Sequence, residues 1–210
     1  MKMIKYVHLL LPMLAFVQLP AAETAPQKLF NGRDLTNWQT TPFGPSGEVK
    51  VQNGVIILGM GDGATGITWQ GEKLPVDNYE ISLQACRLAG NDFFCGLTFP
   101  VHDSFLTLII GGWGGSLIGL SCIDGYDASE NETMRIKSFQ NRQWYNIRLR
   151  LQNQMILAWI DGEKFVECNI DEREMSLRPE VLLSRPLGIA SWYTKAGLKD
   201  IILTPIQTTP

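Results

Sequence analysis

Histidine is scarce in this chain. Two occur in 210 residues, and His8 falls inside an N-terminal export segment, which leaves His102 alone in the mature protein. One histidine excludes a multi-histidine zinc centre. The four cysteines, Cys86, Cys95, Cys122 and Cys168, follow none of the paired spacings of zinc motifs, so a cysteine metal site is not expected. An excess of positive charge is also missing. Lys and Arg number 18 against 21 Asp and Glu, a formal net charge of −3, and losing Lys2 and Lys5 with the export segment makes the balance more negative. Such a chain lacks the electrostatic footprint of a nucleic-acid binder. No Ser-His-Asp motif and no phosphate-cradling glycine loop occurs. Long helical periodicity is absent, as are internal repeats, low-complexity tracts and any linker that would split the mature chain.

The N-terminus carries Lys2 and Lys5, an apolar run over residues 9–19 and the small-residue exit Pro20-Ala21-Ala22. This is the pattern of a secretory signal, here residues 1–22. The run is too short to span a membrane, so no membrane span is expected once the signal is removed. Export to the periplasm or outside the cell follows as an expectation. The remaining chain is long enough for one well-cored domain, placed at residues 27–204.

The mature chain reads as all-β. Short apolar or alternating runs recur, each closed by turn residues. Tyr79, Ile81, Leu83 and Ala85 alternate with Glu80, Ser82, Gln84 and Cys86. Tyr145, Ile147, Leu149 and Leu151 alternate with Trp144, Asn146, Arg148 and Arg150. Leu187, Ile189 and Ser191 alternate with Gly188, Ala190 and Trp192. This period of two marks half-buried antiparallel strands, and several in one domain predict an antiparallel β-sandwich. Asn53-Gly54 and Asp161-Gly162 each divide two strand-like runs and predict two-residue hairpins, because these residues tolerate positive φ. Residues 171–186 break the pattern with charge and two prolines, and read as a connection with one helical turn at most. A further hairpin is expected between residues 79–88 and 93–100. Its symmetric pairing sets Cys86 opposite Cys95, close enough to bridge in an exported protein; buried reduced thiols are the alternative.

The densest candidate site is the run 108–132. Gly111, Gly112, Gly114 and Gly115 flank Trp113, and Asp124, Asp127, Glu130 and Glu132 follow closely. An indole face freed by small neighbours can stack on a sugar ring, and carboxylates can bind its hydroxyls. Trp113 plugging the core is the competing reading. Asp124, Asp127 and Glu130 also suit a divalent cation such as calcium, without the regular spacing of an EF-hand loop, or an acid–base pair about a glycosidic bond. Histidine changes charge near neutral pH, so His102, beside Asp103, is a candidate base or ligand. Arg87, Arg148 and Arg150 are possible fork donors, with stem packing as the alternative role. Trp192 and Trp69 join Trp113 as stacking candidates.

The opening Leu29-Phe30-Asn31-Gly32, Asp34-Leu35 and Trp38 resembles the 3-keto-disaccharide hydrolase domain family. Asn53-Gly54-Val55, Tyr79-Glu80-Ile81, Cys95-Gly96-Leu97, Gln143-Trp144-Tyr145, Trp159-Ile160-Asp161-Gly162, Pro186-Leu187-Gly188-Ile189 and Leu198-Lys199-Asp200-Ile201 follow in the family's order. The resemblance implies a concanavalin-like jelly roll with a groove on its concave sheet, and carbohydrate as the partner. It further implies cleavage of C3-oxidised glycosides: a base takes the proton on C2, the C1 substituent leaves, and water adds back. A metal ion or hydrogen-bond donors commonly hold the enolate oxygen in such a site. His102, Asp124, Asp127 and Glu130 are then the catalytic candidates, with Trp113, Gly112, Gly114, Arg87 and Trp192 for substrate. The chain departs from the family where Phe94-Cys95-Gly96 replaces Asn-Ser-Gly, and where the apolar run from Leu108 to Trp113 replaces a polar strand. That departure points to the alternative, a carbohydrate-binding module without catalysis. A third reading is a structural domain whose groove binds another chain.

Overall fold

The computed structural model describes residues 25–207, and the expected export segment, residues 1–22, lies outside them. The chain forms β1 (Gln27–Lys28), β2 (Trp38–Thr40), β3 (Val49–Gln52), β4 (Val55–Leu58), β5 (Ala64–Trp69), β6 (Tyr79–Gly90), β7 (Cys95–Val101) and β8 (Ser104–Gly112). Then come β9 (Leu117–Ser121), β10 (Arg135–Ile136), β11 (Trp144–Gln152), β12 (Met155–Ile160), β13 (Glu163–Asn169), a short 3-10 helix (Pro179–Ser184), β14 (Gly188–Trp192) and β15 (Thr194–Pro205).

The strands make two antiparallel sheets. The first runs β13-β12-β11-β6-β15-β4-β3, with β1 also paired to β15; the second runs β10-β9-β8-β7-β14-β5-β2. The sequence alternation is obeyed. Tyr79, Ile81, Leu83 and Ala85 on β6, and Tyr145, Ile147, Leu149 and Leu151 on β11, point into one core with Leu97, Phe99, Leu106, Leu108, Ile110 and Ile189 of the second sheet. The Tyr79 hydroxyl donates to the Pro100 carbonyl, so one buried polar link joins the sheets across that core. Both two-residue hairpins form: Gln52 faces Val55 and Ile160 faces Glu163. Their turn residues hold the positive φ expected of them, 51° and 77° at Asn53 and Gly54, 51° and 84° at Asp161 and Gly162.

The hairpin expected between residues 79–88 and 93–100 does not exist. β6 belongs to the first sheet and β7 to the second, and residues 91–94 carry the chain from one to the other. Cys86 therefore faces Trp144 and Gly197, while Cys95 faces Ile110. All four cysteines are free, which corrects the expected bridge. Alternation fixes which face of a strand is buried but not which strand lies beside it. Cys95 behaves as a small core hydrophobe, and burial pushes its thiol up to about 12.

Candidate functional site

The outer face of the second sheet is unlike an ordinary solvated one. Its register aligns Thr68, Gly188, Thr98, Thr107 and Ser121 in a row across β5, β14, β7, β8 and β9. The neighbouring row is Gly66, Ala190, Gly96, Ile109 and Gly119. These positions alternate with the core residues Ile67, Ile189, Leu97, Leu108 and Leu120. A hydroxyl row beside a row of mostly bare backbone leaves room for groups to lie directly on the sheet. Phe93 uses it: a Cβ on Gly96 would stand 3.1 Å from the Phe93 ring. The Thr98 and Thr107 hydroxyls satisfy each other at 2.9 Å.

Above Thr107, Ile109 and Ser121 lies a cavity of about 280 Å³, walled by Phe93, Trp113, Val181 and Trp192 and rimmed by Asp92, Arg178 and Glu180. Each wall is fixed locally. The Asp92 carboxylate accepts the Phe93 amide at 2.7 Å, and the Trp192 amide donates to the Phe93 carbonyl at 3.0 Å. The two rings consequently stack, 6.3 Å apart and 24° from parallel. Trp113 stands on the turn between β8 and β9, where the Gly112 carbonyl accepts the amides of Gly115 (3.1 Å) and Ser116 (3.2 Å). Its side chain is 43% exposed, so it is a wall and not a core plug. The charged rim is paired. Arg178 donates to Asp127 at 2.7 Å and to Glu180 at 3.1 Å, and that guanidinium holds the Glu180 carboxyl below its ordinary range.

The sequence-predicted residues divide into those at the cavity and those away from it. Trp113 and Trp192 line it, Gly112 and Gly114 shape the Trp113 turn, and Asp127 reaches its rim through Arg178. Arg87 does not present its fork to a ligand. It is buried beneath the turn and donates to Asn141 Oδ1 (2.8 Å), the Gly115 carbonyl (3.1 Å) and the Phe139 carbonyl (2.6 Å). His102 sits in the turn between β7 and β8 with Nε2 4.0 Å from Asp77, and lines no part of the cavity. Asp124 accepts from the Glu174 amide at 2.8 Å and from Arg173 at 2.5 Å, and these two contacts depress its pKa. Arg173 also bonds Glu132 at 2.7 Å, while Glu130 is exposed. The acids thus pair with two different arginines. Among the described residues no three His, Cys, Asp or Glu side chains converge as ligands, so the run 124–132 does not fit the cation site its composition suggested. Trp69 is core, its N–H donating to the Glu72 carbonyl at 2.9 Å.

Sequence reasoning missed Phe93, Arg178, Glu180 and the floor hydroxyls. One signal for the floor was present: Thr98, Thr107 and Ser121 interrupt otherwise apolar strands on the face opposite the core.

Comparison with known proteins bears on this arrangement. The profile of the 3-keto-alpha-glucoside-1,2-lyase-like domain matches residues 25–203. No curated protein matches the sequence. Among solved structures, the chain is similar to a putative glycosyl hydrolase from Parabacteroides distasonis, with 14% identity, a TM-score of 0.52, and coverage of 87% of this chain and 94% of that one. It is similar to the carbohydrate-binding module CBM66 from Bacillus subtilis, with 11% identity, a TM-score of 0.53, and coverage of 80% and 95%. It is also similar to domain 4 of the extracellular arabinanase AbnA from Geobacillus stearothermophilus, solved with arabinotriose, with 12% identity, a TM-score of 0.56, and coverage of 90% and 94%. At such identities these likenesses carry the sandwich fold alone, whereas the profile spans nearly every described residue, and the chain belongs to the 3-keto-alpha-glucoside-1,2-lyase-like domain family.

Proposed function

We propose that this protein is an exported carbohydrate-binding domain that holds a sugar ring in the cavity on its second sheet. The observation that carries this reading is the cavity's composition: three aromatic walls over hydroxyls, without a free acid–base pair. Aromatic faces remove the apolar C–H face of a sugar from water, and side-chain hydroxyls replace water at its polar edge. The volume, about 280 Å³, lies at the small end of ligand sites, which begin at about 300 Å³, and suits one ring. Two structural neighbours, a carbohydrate-binding module and a domain solved with arabinotriose, favour the same class of partner. Export rests on the basic and apolar N-terminal segment.

Family membership supports a second reading, elimination from a C3-oxidised glycoside, with Glu180 taking the C2 proton and Arg178 beside the enolate oxygen. The ion pair weakens it. A carboxylate with a depressed pKa is a poor base, and Arg178 already serves two acids. Neither His102 nor Asp124 reaches the cavity to take over that role.

Both readings are decided by presenting the mature protein with neutral saccharides and 3-keto-disaccharides, following binding by calorimetry and cleavage by product analysis. Saturable binding that Trp192→Ala weakens at least tenfold, about 1.4 kcal/mol, with no cleavage, is expected. Cleavage abolished by Glu180→Gln would replace the binding reading with the lyase one.

A further inference from the structure

Just outside the cavity stands Tyr193, 47% exposed. Its ring meets Trp192 edge-on, 5.4 Å between centroids and 83° between planes. It is held on three sides: the amide donates to the Gly63 carbonyl at 3.0 Å, the hydroxyl donates to Asp62 at 3.0 Å, and Trp192 packs behind it. Its backbone is unusual. Tyr193 has φ 43°, and Trp113 on the cavity's wall has φ 45°. Bulky residues seldom adopt this left-handed region. Both side chains are large aromatics left substantially in water, so core burial does not account for either conformation. Strain of this kind persists where the surroundings impose it, and it clusters where side chains are presented to ligands.

We propose that Tyr193 is the platform of a second sugar subsite, and that the ligand is an uncharged oligosaccharide running from the cavity outward past Trp192 and over Tyr193. This rests on the cavity being a sugar site, and names the class of sugar it takes. Two observations carry it. The cavity admits one ring, while the aromatic surface continues beyond it through a perpendicular step from Trp192 to Tyr193. A twist between neighbouring platforms suits successive rings of a chain rather than one larger flat ligand. Charge decides the rest. Among the described residues that line the cavity or bond Tyr193, the acids are Asp62, Asp92 and Glu180, and the one cation is Arg178, which is already paired to Glu180 and to Asp127 behind it. At the cavity an acidic saccharide would meet net negative charge, with the lining's one cation already paired; a neutral chain meets acceptors for its hydroxyls.

The test is a calorimetric series on the mature protein using neutral mono-, di- and trisaccharides of one glycan, with a uronic-acid trisaccharide as the charged counterpart. The expected affinity rises at least tenfold from one ring to three, and the acidic trisaccharide binds at least tenfold more weakly than the neutral one. Tyr193→Gly brings the ratio of trisaccharide to monosaccharide affinity to about one. Glycine accepts the backbone angle, so this variant keeps the fold, which an unchanged or raised Tm verifies. Tyr193→Phe, which loses the bond to Asp62 but keeps the ring, retains most of the ratio. A series flat in the wild-type protein, or a ratio unmoved by Tyr193→Gly, overturns the second subsite while leaving the cavity reading standing. Tighter binding of the acidic trisaccharide overturns the charge argument. Absence of binding by every saccharide overturns both the subsite and the site it extends.

Discussion

Gly111, at the bulged end of β8, and Trp113, in the turn that follows, illustrate opposite uses of the left-handed backbone. Gly111 has φ 78°, and a Cβ there would lie 3.0 Å from the Phe94 ring, which itself packs edge-on against Phe139 at 5.2 Å. Both the angle and the contact demand glycine. Gly111→Ala is expected to lower unfolding stability by about 1–2 kcal/mol from the backbone angle alone, with crowding added, as read by urea denaturation. Trp113, two residues on, adopts φ 45° with its side chain 43% exposed. Trp113→Gly is expected to leave Tm unchanged or raised, and to weaken sugar binding at least tenfold. Stability gained where binding is lost is the usual sign of a residue held in place for function. A fall in Tm with binding intact would return Trp113 to a structural role.

At the scale of elements, two connections hold the cavity's walls. Arg87, at the end of β6, ties the Trp113 turn to residues 139–141 through its three hydrogen bonds. Arg87→Met leaves two backbone carbonyls without their donor, each costing about 1–3 kcal/mol when buried. Tm should fall and sugar affinity with it, whereas a ligand-contacting arginine would lose affinity alone. The connection from β13 to β14 crosses to residues 124–132 through Arg173 with Asp124 and Glu132, and through Arg178 with Asp127, while Arg178 also pairs with Glu180 on its own side. Hydrogen bonds from the Glu174 amide and Arg173 depress the pKa of Asp124, Arg173 depresses that of Glu132, and Arg178 that of Glu180. A depressed folded pKa gives stability that is fully present above the ordinary carboxylate range, about pH 4, and is lost as pH falls through the lower folded values. Tm should therefore hold from pH 7 to about pH 5 and decline below about pH 4. Arg173→Met should flatten part of that decline. These pairs are partly solvent-exposed, so the effect is small and shrinks in high salt.

For the whole molecule, one core between two sheets accounts for the fold, and the chain's crossing between them accounts for the cysteines. Cys86 lies on the outer side of the first sheet and Cys95 inside the core. Mass analysis after alkylation in denaturant without reductant should add four labels, one at each free cysteine. The native protein should leave Cys95 unlabelled, since burial raises its thiol to about 12. A mass showing two fewer labels would restore the bridge.

Read as a string of residues, the chain already discloses the sandwich, the buried face of the strands around Tyr79, Tyr145 and Ile189, both two-residue hairpins and the family. Alternation and turn chemistry are properties of neighbouring residues, so Tyr79 to Ala85 and Asp161-Gly162 could be read directly. Trp113 and Trp192 are visible in the same way, the one as an aromatic among glycines and the other on the small-residue side of its strand, with Gly188 and Ala190. What no local pattern discloses is that residues 79–88 and 93–100 part company into different sheets, and that Asp124 and Glu132 pair with Arg173 while Asp127 pairs with Arg178. The folded chain alone brings Phe93, Trp113, Arg178 and Trp192 around one cavity. The physical reason is that strand pairing is settled between segments far apart in the chain, by shared burial and loop closure, and no local pattern records the partner.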